Sequence, residues 1–294
     1  MLKHFASHEE SMTLDRMELE TRVAAPVPEG EEGSLLQRFD RGWLLFAGVV
    51  LITFLLIRSR PDPYGRIWAF LQDGIRVTLG ITAVSFVFIV LAGLVGGLGR
   101  ISKNPLINVT AAVYVEMVRG VPLLVQLLFI YYAAPIVLRA LGRHLVGTWP
   151  IGAQYLLNIK INPFAAAVLG LTVCYGAYMS EIVRAGIESI AKGQMEAARS
   201  LGMSYFQALR YVVLPQAIRT ILPPVGYEFV ALLKDSSLVS VVAVADMTRR
   251  GREFMASTFL ALETWLLVAL LYLVMTLFAA RVVTYIERKT RFVH

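Results

Sequence analysis

Apolar residues along this chain come in long unbroken blocks. Val77–Gly99, Gly120–Leu138, Ile161–Ser180 and Thr264–Ala280 contain no Asp, Glu, Lys or Arg. An α-helix needs about 20 largely apolar residues to cross the hydrocarbon core of a bilayer, where the backbone must satisfy its own hydrogen bonds because water is absent. The pattern predicts a polytopic, all-α integral membrane protein. A shorter uncharged block, Trp43–Ile57, is bounded by Arg38, Arg41, Arg58 and Arg60. Arginines at both ends can snorkel to the two interfaces and Trp43 suits a headgroup layer, which favours a span over a re-entrant or interfacial segment. A sixth, irregular candidate runs from Ile221 to Ala245, interrupted by Pro223-Pro224, Glu228 and Lys234-Asp235.

Six spans put both ends on one side. The C-terminal "RVVTYIERKTRFVH" is basic enough to make that side the cytosol. "GRISKNP" and the region from Glu181 to Arg219 then lie inside as well, while "RSRPDPYGR" and "RALGRH" lie outside, so the positive-inside rule is obeyed on balance. Residues 1–34 read as an acidic, mobile cytosolic tail with helical patches around Ser11–Arg22. They lack the basic start and apolar core of a secretory signal. Residues 35–66 hold the extra N-terminal helix and a linker, broken at Pro61 and Pro63 of "RPDPYG". A core of five further spans fills 67–294.

Composition narrows the class further. With 57% of residues hydrophobic and only 17% charged, the chain departs from a soluble domain in the membrane direction. The net charge of +7 comes from basic residues scattered through short loops, a topology signal and not a nucleic-acid surface. Cys174 is the single cysteine and reads as a small apolar filler; no Cys cluster or His pair has metal-ligand spacing. His4, His8, His144 and His294 all lie outside the spans, and no convergent nucleophile, acid–base pair or metal set marks a membrane enzyme. A secondary transporter is the less favoured alternative, since it would usually show two matching halves, which are not found here.

One polar stretch stands out between the apolar blocks: "EAARSLGMSYFQALRYVVLPQA", Glu196–Ala217, on the cytosolic side. Glu196-Ala197-Ala198 favours helix, Gly202 offers a stop and a turn, and Tyr205, Leu209 and Val212–Val213 recur at helical spacing before Pro215. The segment predicts two short amphipathic helices joined by a turn, lying along the membrane surface within reach of a cytosolic partner. Glu-Ala-Ala, three residues, Gly202, nine residues, Val212, one residue, then Leu214-Pro215 resembles the EAA loop of ABC importer permeases, with Val where the family usually has Ile. "DGIRVTLGITAVS" (Asp73–Ser85), "VEMVRGVPLLVQLLFIYY" (Val115–Tyr132), "YGAYMSEIVRAGIESIAKGQMEAARSLG" (Tyr175–Gly202) and "LPQAIRTILPPVGYEFVALLKDSSLVSVV" (Leu214–Val242) are similar, in the same order, to the polar amino acid branch of that family. That branch normally has five core spans, so Trp43–Ile57 and the acidic tail are additions.

The resemblance implies the membrane subunit of a bacterial ABC importer in the inner (cytoplasmic) membrane, moving polar amino acids or, alternatively, another small polar solute. Nothing here matches the phosphate-cradling G-x-x-x-x-G-K-[ST] loop, so this chain binds no cofactor itself; ATP and Mg²⁺ belong to a separate ABC ATP-binding subunit. That subunit would be met by Gln194, Glu196, Ala197, Ala198, Ser200, Leu201, Gly202 and Met203. A second permease subunit, identical or paralogous, and an extracytoplasmic amino acid-binding protein complete the implied partners.

Charges at membrane depth are costly and point to cavities or partners. Asp235 either takes the ammonium of an amino acid or is neutralised by Lys234, which is itself a further candidate for the substrate pathway. Ser236 and Ser237 would suit the start of a half-helix whose free amides meet a carboxylate. Glu116 and Arg119 are spaced to pair on a helix, next to a break at Gly120 and Pro122, with Arg119 and Gln126 as minor candidates for the pathway. Glu181 and Arg184 repeat that spacing at a helix base. Glu228 faces either the pathway or Arg219. Glu253 and Glu263 are placed at the external end of the last span, where a binding protein docks.

Overall fold

The computed structural model describes residues 41–290, and every regular element among them is helical. The acidic tail and the last four residues, on which two of the expectations above rest, lie outside the described residues. Of the two units into which the chain divides, Met1–Leu44 and Leu45–His294, the second holds the elements that follow apart from the first four residues of the first helix.

Five helices are long and apolar enough to cross a membrane: Gly42–Ser59, Pro61–Arg100, Leu123–Leu145, Pro163–Glu188 and Ala261–Thr290. They coincide with the five uncharged blocks of the sequence. In chain order the elements are α1 (Arg41–Ser59), α2 (Arg66–Arg100), α3 (Pro105–Arg119), α4 (Leu123–Leu128), α5 (Ala134–Leu145), α6 (Pro150–Leu157), α7 (Pro163–Glu188), α8 (Lys192–Ser200), α9 (Tyr205–Ala208), α10 (Leu214–Asp235), α11 (Met247–Thr258) and α12 (Ala261–Thr290). Wide π-type turns join α4 to α5 at Phe129–Ala133 and α9 to α10 at Leu209–Val213.

The irregular sixth candidate is α10, which starts at Leu214, earlier than expected, and runs straight through Pro223 and Pro224 before tightening into a 3₁₀ segment, Ser236–Val242. The prolines do not interrupt it as the sequence suggested. Its depth follows from its neighbours. Gly186 of α7 meets Ile221, the ring of Phe229 packs edge-on against Phe86 at 5.0 Å, and Gly226 meets Val283 of α12.

Helix α7 is the centre of the bundle, with 61% of its span buried against at most 28% for the other four. Small residues make this possible, since helices in lipid associate by close packing without a hydrophobic driving force. A Cβ at Gly93 or Gly97 of α2 would fall 2.1 Å from Met179 Cγ or 2.6 Å from Val183 Cβ of α7. Helix α3 rises beside both: Tyr114 donates its hydroxyl to the carbonyl of Val173 at 2.8 Å. The start of α3 is capped by the Asn104 side chain and the start of α7 by that of Asn162.

Candidate functional site

Between α3 and α4 the chain unwinds at Gly120–Pro122, as the "RGVP" motif predicts. Proline cannot donate to the preceding turn, so the carbonyls there need other partners. Gln126 supplies them: its side-chain Nε2 donates to the carbonyls of Val118 and Val121, each at 2.8 Å. Non-helical backbone at membrane depth survives where it lines a cavity, and here it does. A cavity of about 420 Å³ opens beside the break, lined by Arg119, Gly120, Val121, Pro122, Leu123, Cys174, Tyr175, Tyr178, Glu228 and Asp235. That volume lies within the range of small-molecule sites, roughly 300–1,000 Å³.

The polar groups reach the cavity from three helices, with Arg119 at the end of α3. Tyr175 and Tyr178 are one turn apart near the midpoint of α7, while Glu228 and Asp235 are two turns apart on one face of α10. Tyr175 donates its hydroxyl to Asp235 Oδ2 at 2.7 Å, and Arg119 lies over the ring of Tyr178, 5.1 Å from its centre. Glu228 is within electrostatic reach of both Asp235 and Arg119. A cation, two carboxylates and two phenols thus converge where the flanking helices are apolar. Such a set can bind a small molecule carrying both signs of charge.

Several expected partnerships are replaced. Arg119 does not pair with Glu116: the break turns it to Tyr178, and Glu116 approaches Arg100 at 3.9 Å instead. Lys234 is exposed and outside the cavity, so Asp235 is met by Tyr175 and not by its neighbour in sequence. Ser236 does not open a half-helix. Its backbone N–H is already given to α10, its hydroxyl donates to the Leu233 carbonyl at 2.8 Å, and it is fully buried. Ser236, Ser237 and Gln126 do not line the cavity, whereas Arg119, Glu228 and Asp235 do. Cys174, expected as filler, is part of the wall. Tyr175 and Tyr178 were missed; a pair of tyrosines three apart within an otherwise apolar span was the available signal.

Below the cavity, charges tie the helix ends together. Arg184 pairs with Glu181 and Glu188, and Arg100 reaches Glu181 at 3.7 Å. Glu181 and Arg184 thus pair at the base of α7, as their spacing allows, with Arg100 as an unforeseen member. At the other end, Glu253 belongs to the separate helix α11, not to the last span. Arg249 holds it at 2.9 Å and Arg250 at 3.1 Å, and those hydrogen bonds keep its carboxyl below the usual carboxylate range. Glu263 is in the first turn of α12 as expected.

The polar stretch forms the two short helices and turn read from the sequence. Helix α8 ends in a left-handed residue, Gly202 at φ +85°, with the N–H of Met203 donating to the Ala198 carbonyl and that of Gly202 to Arg199. This is the Schellman arrangement, which glycine adopts without a Cβ penalty. Ser204 and Gln207 then form a capping box that starts α9. Glu196, Ala197, Ser200, Leu201 and Gly202 are exposed, and Met203 is half-buried. Ala198 is buried, so its small side chain serves packing within this chain and not contact with a partner. Gln194 is exposed and accepts from Gln216 Nε2 at 3.3 Å, which links α8 to the start of α10. Leu201 and Phe206, 82% and 78% exposed, leave an apolar patch beside the turn.

The chain matches the family model described as binding-protein-dependent transport system inner membrane component over residues 67–292. It is 36% identical over 221 residues to the glutamine transport system permease protein GlnP of Escherichia coli (strain K12), a match spanning 75% of this chain and 93% of that protein. Over 186 residues it is 38% identical to the L-cystine transport system permease protein TcyB of Bacillus subtilis (strain 168), covering 63% and 71% of the two chains. Among solved structures, the crystal structure of an amino acid ABC transporter with histidines aligns with a TM-score of 0.65 and 37% identity, over 76% of this chain and 95% of that one.

Proposed function

The chain belongs to the family of binding-protein-dependent transport system inner membrane components, and on that premise we propose that it is the membrane subunit of an ABC importer that carries polar amino acids into the cytoplasm. The observation that carries the substrate reading is the mixed-charge cavity at membrane depth. Asp235 has one carboxylate oxygen held by Tyr175 and takes the substrate's ammonium, and Arg119, positioned by Tyr178, takes its carboxylate. Each charge costs several kcal/mol when buried alone, so a zwitterion that pairs both relieves the site.

Energy reaches the cavity through α8. This helix follows α7 directly and is tied by Gln194 to the first turn of α10, so it is joined to the two helices that carry the cavity's tyrosines and carboxylates. A separate ATP-binding subunit docks on the exposed face of Glu196, Ala197, Ser200, Leu201 and Gly202, holds ATP and Mg²⁺, and moves α8. A second permease subunit, identical or paralogous, completes the pathway, and an extracytoplasmic amino acid-binding protein delivers substrate near α11 and the start of α12. Both ends of the chain face the cytosol.

Two measurements test this. Affinity purification of the chain from mild detergent co-isolates an ATP-binding subunit in the importer reading; a chain that transports amino acids without one refutes it. Reconstituted complexes carrying Asp235→Asn assemble and hydrolyse ATP at the basal rate but lose stimulation by substrate. Unchanged uptake in that variant removes Asp235 from the pathway.

A further inference from the structure

The hairpin of α5 and α6 takes no part in the cavity or in coupling, and its charge is one-sided. Between Glu116 and Glu181 the chain has no Asp or Glu, while residues 134–162 carry Arg139, Arg143 and Lys160. All three are exposed, and none makes an ion pair within 4.0 Å among the described residues. Arg139 and Arg143 are one turn apart on α5. Arg139 donates to the carbonyl of Ile159 at 3.2 Å, which brings the segment of Lys160 beside them and leaves the charge of the guanidinium uncompensated. The hairpin stands at the end of α7 opposite α8. With α8 on the ATPase, as proposed above, that end is extracytoplasmic, the side on which short loops normally carry few cations.

The same hairpin exposes apolar surface. Helix α6 turns back along α5, where a Cβ at Gly142 would fall 2.9 Å from Leu156 Cβ and 3.1 Å from the Ala153 carbonyl oxygen. The face of α6 away from that seam presents Ile151 and Tyr155, one turn apart and 71% and 77% exposed, with Trp149 exposed at the turn between the helices. Helix α5 is itself the outer part of the span Leu123–Leu145, so the hairpin grows directly out of lipid. We infer that the α5–α6 hairpin is an interaction surface for the outer leaflet, with its apolar face set beneath the headgroups and Arg143, Lys160 and Arg139 on the phosphates of anionic phospholipids. Tryptophan and tyrosine settle in the headgroup layer, and arginine and lysine stems reach along apolar surface to the charges above it. The occupant is lipid and not a docked protein, because continuity with a span holds the apolar face at the level of the bilayer surface.

The test reads lipid at the hairpin itself. The full-length chain, with the subunits that co-purify, carries Gln154→Cys in a Cys174→Ala background and a bimane fluorophore at the new thiol, which leaves Ile151 and Tyr155 in place. It is reconstituted in phosphatidylcholine nanodiscs, into which phosphatidylglycerol or phosphatidylcholine brominated on its acyl chains is titrated as quencher. Both lipids quench the fluorophore, and brominated phosphatidylglycerol does so at a fraction at least about fivefold lower. One cation near an anionic surface contributes about that factor. Arg143→Gln with Lys160→Gln, which keeps Arg139 and its bond to Ile159, removes the preference and leaves quenching by phosphatidylcholine unchanged; Arg143→Lys retains the preference. Absence of quenching by either lipid overturns the inference, because the hairpin then stands clear of the bilayer. Equal quenching by the two lipids, or an undiminished preference in the double variant, removes the anionic headgroup from it. A fluorophore that responds to an added extracytoplasmic binding protein and not to brominated lipid gives the surface to that protein and likewise overturns it. None of these readings depends on transport or ATP hydrolysis, so the importer assignment is tested separately.

Discussion

Replacing Gly202 by alanine and by proline separates the shape of the coupling turn from the presence of the helix before it. Gly202 has φ +85°, and a Cβ built there meets nothing within 4 Å. Alanine is therefore opposed only by its own backbone preference, about 1–2 kcal/mol for an L-residue in the left-handed region. That lowers the population of the native turn by roughly 5–30-fold relative to alternatives. Proline is different in kind, because its ring fixes φ near −65° and removes the N–H that donates to the Arg199 carbonyl at 3.0 Å. The bonds that build α8 lie before this point and survive. In proteoliposomes containing the complete importer, uptake per ATP hydrolysed falls by a few-fold to tenfold in Gly202→Ala. In Gly202→Pro it falls to background, while ATP hydrolysis continues and the complex remains assembled. Native stoichiometry of uptake to hydrolysis in Gly202→Pro would refute the argument that this turn transmits the stroke.

With α8 docked on the ATPase as proposed, Glu196→Lys uncouples transport in the same assay, the reversed charge opposing any basic group facing it, whereas Glu196→Ala is mild because exposed ion pairs contribute about 1 kcal/mol or less. Gly97→Leu lowers the melting temperature of the detergent-solubilised protein, with about 1–3 kcal/mol or more lost as the new side chain is driven into Val183, while Gly80→Leu, where a Cβ meets nothing within 4 Å, leaves it within error of native. Equal melting temperatures for the two variants would count against close packing of α2 on α7. Tyr175→Phe removes the hydroxyl that donates to Asp235 and weakens calorimetric binding of the substrate by roughly tenfold or more, the value of one hydrogen bond to a charged group; native affinity would show that Asp235 is organised by something else.

Much of the bundle could be read directly from the chain, and the reason is that crossing a membrane is a local requirement. Each of the blocks Trp43–Ile57, Val77–Gly99, Gly120–Leu138, Ile161–Ser180 and Thr264–Ala280 falls within, or within three residues of, a helix long and apolar enough to span. The turn at Gly202 was equally legible, because left-handed backbone is a property of one residue and its neighbours, and glycine after a helical run announces it. The unwinding at Gly120–Pro122 followed from proline in the same way.

What the tertiary structure alone decided is which charges meet. Glu116 and Arg119 have the spacing of a helical pair, yet the break after Arg119 sends its guanidinium to Tyr178 on α7 and leaves Glu116 to Arg100 on α2. Lys234 and Asp235 are adjacent in sequence and face different surroundings, and the partner of Asp235 is a tyrosine sixty positions away. Ser236 resembles a helix start but is absorbed into a continuous turn of α10, with its hydroxyl spent on Leu233. Hydropathy averages over a helix and says how much of it sits in lipid. The rotation of each helix about its own axis is set by where small residues such as Gly93, Gly97, Gly186 and Gly226 let neighbours approach, and that rotation determines whether a buried charge faces a cavity, a partner or the lipid.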